Sequence, residues 1–163
     1  MSDFFKKMSK IEYPNRSALE AFVKRVDKYL NNNSNQKKVA YPETSVSPWS
    51  SDELLRANED LLSSVAGRAN VYGIFVAQGD SKKYSLRYIG KSKRKLARQR
   101  IRNHLFKKHE KTGAKLSKVI DHVQAGGKIN VSWVEIEPES LRNFVEEELI
   151  SMHPESNWNR ENA

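Results

Sequence analysis

The chain contains no cysteine. Disulfides, thiolate-ligated zinc and thiol nucleophiles are therefore excluded. Compartment is left open by redox chemistry, and a cytoplasmic location is the expectation. Proline and glycine are sparse, five and seven in 163 residues, which excludes collagen-like and low-complexity chains. No apolar run approaches the ~20 residues that span a bilayer, and "MSDFFKKMSK" lacks the apolar centre of a secretory signal. A soluble chain with no membrane partner is expected. Acidic side chains are also short, 20 against 29 Lys and Arg. The deficit is local: residues 91–111 hold ten Lys or Arg and one acid, Glu110, a surplus equal to the net charge of +9. Charge gathered in one place points to a polyanion, nucleic acid being the commonest.

What is present reads as one domain with an N-terminal extension. "SALEAFVKRVDKYL" spaces Leu19, Phe22, Val23, Val26 and Leu30 as one helical face, with Ser17 and Glu20 as a capping box. "NNNSNQKKVAYPETSVSPW" predicts an irregular linker, broken by Pro42 and Pro48. "SDELLRANEDLLSSVAG" predicts one helix with Leu54, Leu55, Asn58, Leu61, Leu62 and Val65 in register, a Ser50–Glu53 capping box and Gly67 as its stop. From Asn70 the texture changes. "NVYGIFVAQ" and "YSLRYIGK" predict two strands joined by a "GDSKK" hairpin loop. The basic segment and "GAKLSKVIDHVQAGG" predict helices, "KINVSWVEIEP" a third strand, and "ESLRNFVEEELISMHP" a last helix ended by Pro154. The order ββααβα gives an α/β (α+β layer) fold, a small central antiparallel sheet flanked by helices. The expected division is 1–66, helical region with linker, and 67–163, the sheet domain.

On the basic helix, at about 100° per residue, Ala97, Ile101 and Leu105 form an apolar arc, and Arg100 and His104 fall inside it. Lys95 and Arg102 point the other way, as a solvated face. A buried arginine needs anionic or hydrogen-bonding partners, and an ion pair to a core glutamate would satisfy it as well as a ligand would.

"NVYGIF", then "YIG", then Arg100…His104, then a glutamate in "VEEELI" and an asparagine beyond Pro154 together resemble the GIY-YIG nuclease family, over about 90 of the 163 residues. Asn70-Val71-Tyr72 stands where Gly-Ile-Tyr is usual. The alternative register, Gly73-Ile74-Phe75, supplies no hydroxyl, so Tyr72 is preferred. The resemblance implies a magnesium- or manganese-dependent endonuclease that hydrolyses double-stranded DNA, of restriction, mobile-element or repair type, with one ion per site. It implies Tyr72, Tyr88, Arg100, His104, Glu146 and Asn157 as catalytic residues and Glu146 as the metal ligand. Either Tyr72, its pKa lowered by nearby cations, or His104 would be the base. Arg100 would stabilise the scissile phosphate. Lys91, Lys93, Lys95, Arg98 and Arg102 would contact the DNA backbone.

Two assignments pull against each other. The helix wheel places Glu148 between Phe144, Val145 and Met152, as the most enclosed glutamate and the partner of a buried cation, whereas the family register selects Glu146. Asn159 rivals Asn157. His109, His122 and His153 have no metal-ligand spacing and are expected at the surface. Trp133 is expected in the core, and Trp49 and Trp158 as base-stacking residues or hydrophobic plugs. A monomer would nick, so cutting both strands would need a homodimer or two events. A non-catalytic nucleic-acid-binding module on the same fold is the competing function.

Overall fold

The most buried stretch of the chain is Val71–Ala77, enclosed at all seven positions. In the computed structural model, which describes residues 9–108 and 114–160, it is the second of four strands. In chain order the elements are α1 (Arg16–Asn31), β1 (Lys37–Lys38), α2 (Glu43–Val46), α3 (Ser51–Ala57), α4 (Glu59–Val65), β2 (Val71–Ala77), β3 (Ser85–Lys91), α5 (Ala97–Leu105), α6 (Leu116–Gln124), β4 (Lys128–Val134) and α7 (Arg142–Met152). Short 3-10 turns precede α5 and α7 and close the described chain at Asn157–Asn159. The sheet is antiparallel, in the order β1-β4-β2-β3. The protein is thus a mixed α/β fold with helices on both faces of the sheet. No helix among the described residues is long and apolar enough to cross a membrane.

Alternation along β2 feeds two cores. Tyr72, Ile74 and Val76 pack with Ala97, Ile101 and Leu105 of α5 and Val119 and Val123 of α6. Val71 and Phe75 pack on the opposite face with Val23, Val26 and Leu30 of α1 and Val145 and Leu149 of α7. Period two in a strand and spacings of three and four in helices produce this division. Fully burying each such Val or Leu contributes roughly 1.5–3 kcal/mol. Gly67 and Gly126, at φ +71° and +95°, end α4 and α6 in the left-handed conformation that other residues avoid.

The first 66 residues depart most from expectation. The expected linker contains β1, which pairs Lys37 with Val131 and Lys38 with Asn130 on the outer edge of β4. The segment also caps α5. Tyr41 Oη donates to Leu105 O and Trp49 Nε1 donates to Phe106 O, both at 2.9 Å, and a helix C-terminus leaves just such carbonyls unmet. Trp49 is therefore a capping plug, not a free stacking platform; Trp158 is a buried plug and the half-buried Trp133 packs on the first core. The single helix expected over 51–66 is broken at Asn58. Its side chain accepts from Ala40 N and donates to Ala40 O and Leu54 O, so it serves the neighbouring segment in place of the helix. Neither expected capping box forms. Asn15 caps α1 by accepting from Ala18 N, and Glu53 accepts from Ser45 Oγ.

Candidate active site

Where β3, the edge strand, meets α5, the first face opens into a cleft of about 270 Å³. Tyr72 and Tyr88 supply its floor. The register pairs Tyr72 with Gly90 and Ile74 with Tyr88, so both phenols point to the same side, their ring centroids 6.3 Å apart. Phe75 lies in the opposite core, so only the Tyr72 register brings a hydroxyl here. Arg100, Asn103 and His104 line the wall from α5, Lys91 comes from the end of β3, and Glu146 reaches in from α7.

His104 is the most constrained member, its imidazole buried. Its Nδ1 accepts the backbone N–H of Lys115 at 3.0 Å, and its Nε2 lies 2.8 Å from Tyr72 Oη. A neutral imidazole has one donor and one acceptor nitrogen. Because Nδ1 accepts, Nε2 carries the proton and donates to Tyr72. Burial, reinforced by the Arg100 and Lys115 charges, pulls the imidazole down to about 3. It is therefore neutral near pH 7, with its one lone pair already engaged. This arrangement removes His104 as a free base and makes it a donor that holds the Tyr72 oxygen. The expected lowering of the phenol also fails: burial pushes Tyr72 well up, Tyr88 adding to it and Arg100 only partly opposing, and burial with Glu146 pushes Tyr88 up to about 12. Both phenols are protonated donors at neutral pH.

A stability test follows from the same geometry. Unfolded histidine titrates near 6.5, and folded His104 near 3, so the unfolded chain binds the extra proton first. Stability from this group is full above about pH 6.5 and is lost as the pH falls towards 3, by on the order of 4 kcal/mol across the interval. His153 does not interfere. Burial lowers it, but its hydrogen bonds to Asp27 and Glu155 more than offset that and raise it, so its stabilisation is lost only as pH rises above about 6.5. Urea unfolding from pH 7 to 4 is expected to show a steep loss in the wild type and a flatter one in His104→Gln. Equal slopes would contradict the buried, neutral imidazole.

Glu146 is half-buried and Lys91 Nζ stands 3.5 Å from its Oε1. Burial raises its carboxyl, with Lys91 pulling the other way. Glu148 is exposed, contrary to the wheel. The enclosed face of α7 is Val145 and Leu149, whereas Phe144 is half-buried and Met152 is 42% exposed, so only Val145 of the three residues used to orient the wheel is enclosed.

Arg100 lines the cleft but is exposed. On the wheel it sits between His104 and Asn103, in a sector that faces the open cleft and not packed sheet. Among the described residues its guanidinium makes no hydrogen bond or ion pair. Arg102, expected outward, is half-buried and donates from Nη2 to Asn103 Oδ1 at 3.2 Å. Lys93 and Lys95 are exposed, as expected, but Arg98 is committed to Glu59 at 2.7 Å. Arg94 gathers Glu135, Glu137 and Glu139. Part of the cationic run is therefore balanced internally, by acids distant in sequence.

Asn157 is exposed and is not among the residues that line the cleft. Its rival Asn159 accepts from Ile89 N at 2.8 Å and donates to Ile89 O at 2.7 Å, gripping β3 between Tyr88 and Gly90. Of the two asparagines, Asn159 is the one that holds the strand beside Tyr88. His122 and His153 are also not free surface residues. The first bonds Ala77 O and the second bridges Asp27 and Glu155, while His109 lies outside the described residues. Asn103 and Lys115 were missed: Asn103 lies outside the apolar arc, and Lys115 contributes through its backbone N–H. No group of three or more metal-ligating side chains occurs among the described residues. Compared with known proteins, the chain matches no family model, no curated protein and no solved structure.

Proposed function

We propose that the chain is a metal-dependent endonuclease of GIY-YIG type that hydrolyses phosphodiester bonds in double-stranded DNA. The observation that carries this reading is the convergence of Tyr72, Tyr88, Arg100, His104 and Glu146 on one cleft, with an arginine that has no protein anion among the described residues. A structural arginine would have found its carboxylate, as Arg94 and Arg98 have.

Each side chain has work suited to that reaction. Arg100 offers a forked donor to the scissile phosphate and to the charge that grows on it. Tyr72 Oη accepts from His104, so its own proton is directed away from the imidazole and can orient a water or a phosphate oxygen. Lys91 adds a second cation at the strand end. Glu146 is the one carboxylate of the cleft among the described residues, partly desolvated and only partly neutralised by Lys91, so it fits a hard, oxygen-seeking cation such as magnesium or manganese that keeps most of its water. When bound, one such ion supplies positive charge that neutralises the phosphate and draws down the raised phenol pKa values. Exposed Lys93 and Lys95 suit the DNA backbone. A single cleft nicks one strand, and a homodimer would supply the second.

The experiment is supercoiled plasmid incubated with magnesium, with manganese and with a chelator. Nicked circles are expected with either ion and none with the chelator. DNA bound but never nicked would leave a binding module on this fold, and no binding would defeat the nucleic-acid reading altogether.

A further inference from the structure

The wall of α5 carries two donors without acceptors. Asn103 lines the cleft, is only 2% exposed, and its Nδ2 has no hydrogen-bond partner among the described residues. Arg102 Nη2 donates to Asn103 Oδ1, which turns the amide so that Nδ2 faces away from the guanidinium, while Arg102 Nε is itself buried without a partner. Buried polar groups are nearly always paired, and an unmet donor carries a desolvation penalty that folding alone does not recover. Leucine would fill such a site without that penalty. An asparagine with an idle N–H, three residues from a guanidinium that also has no protein anion among the described residues, is arranged for an acceptor that arrives from outside.

We propose that Asn103 is a further anion-binding residue of the cleft, donating from Nδ2 to a phosphate oxygen, with Arg102 as the positioning residue that sets its amide. The proposal rests on the phosphodiesterase reading and extends it. Arg100 brings charge to the phosphate, and Asn103 adds a neutral, directional donor in a shielded place where such bonds are strong. Arg102, on this assignment, acts through Asn103 and not as a peripheral DNA contact.

Three measurements test it. In thermal melts Asn103→Leu is expected to be as stable as the wild type or more so, because an unmet donor has gone. In magnesium-dependent cleavage the same variant is expected to lose about 10–100-fold in kcat with little change in KM, as for a donor used chiefly in the transition state. Arg102→Ala is expected to lose part of this on its own and nothing further in the Asn103→Leu background. A lowered melting temperature with unchanged kcat would make Asn103 structural and overturn the proposal. The third readout does not need cleavage. The Asn103 side-chain amide pair, identified by its loss in Asn103→Leu, is followed in 15N spectra as a short duplex is added without metal. A shift of that pair supports the assignment, and binding without a shift overturns it while the nuclease reading stands. If no duplex binds, the nuclease reading fails by itself. Inorganic phosphate is then the probe, and the amide pair must shift with it or the anion assignment falls too.

Discussion

Gly90→Ala is expected to cost about 2–3 kcal/mol of folding stability, the range of a core overpacked by a rigid neighbour, and nearly all cleavage. Gly90 is the last residue of the Tyr-Ile-Gly run, and β2 sets Tyr72 directly opposite it. A Cβ at position 90 would lie 2.5 Å from both Cε2 and Oη of Tyr72, well inside contact distance. The tyrosine has nowhere to go, being 1% exposed, packed among α5 residues and bonded to His104. Any retreat of the ring breaks that bond and displaces the hydroxyl from the cleft. Gly73→Ala is the control on the other face, where the Cβ would meet Phe75 Cε2 at 3.0 Å and Leu86 Cδ1 at 3.3 Å, a milder crowding of side chains outside the site. Its cost is expected to be smaller and its effect on cleavage slight. Denaturant unfolding of Gly90→Ala in the wild type and in Tyr72→Ala decides the cause. The penalty is expected to shrink sharply once the ring is gone, and an unchanged penalty would mean that Gly90 serves something other than Tyr72.

That pairing also shows why the central hairpin was legible in the sequence. The strands are short, aromatic and alternating, and their register follows from which face must be apolar. Once Tyr72 and Tyr88 share a face, Arg100 and His104 four apart on the next helix fall over them by periodicity alone. Other features had no periodic signal. A two-residue strand at Lys37–Lys38 has no alternation to detect, and the side-chain grip of Asn58 on Ala40 spans 18 residues. The same holds for ion pairs: Arg98 with Glu59 and Arg94 with Glu135, Glu137 and Glu139 join elements distant in sequence, so a charge run shows how much cation there is but not how much is free. The last helix misled for a different reason. Its apolar residues nearly encircle it, with Val145 and Leu149 inward and Phe144 and Met152 off to one side, so a wheel alone gives two buried faces and cannot choose between two glutamates two residues apart.

That choice sets the largest expected effect. Glu146→Gln is expected to lower magnesium-dependent cleavage on the order of 10³-fold or more, since loss of a mere outer-shell partner already costs about 10–100-fold. The amide keeps the shape and an oxygen but not the charge that, on the proposed function, would hold a hard cation. DNA binding in chelator is expected to be unchanged or tighter, because a negative charge beside the phosphate has gone. Folding should hardly suffer. The carboxylate is pushed up by burial, so its charge is an unfavourable one to bury, and the Lys91 left behind is 41% exposed and can be solvated. Glu148→Gln, two residues along and exposed, is expected to melt, bind and cleave like the wild type. Plasmid nicking with and without magnesium, beside thermal melts of both variants, reads all of this at once. A dead but folded Glu148→Gln next to an active Glu146→Gln would move the cation to the other side of α7, where Glu148 borders Arg16, Lys24 and Tyr13 and no phenol of the cleft. The cleft of Tyr72, Tyr88 and Arg100 would then have no carboxylate contributing to catalysis, and phosphodiester cleavage there would have to proceed on its cationic, phenolic, imidazole and amide groups alone.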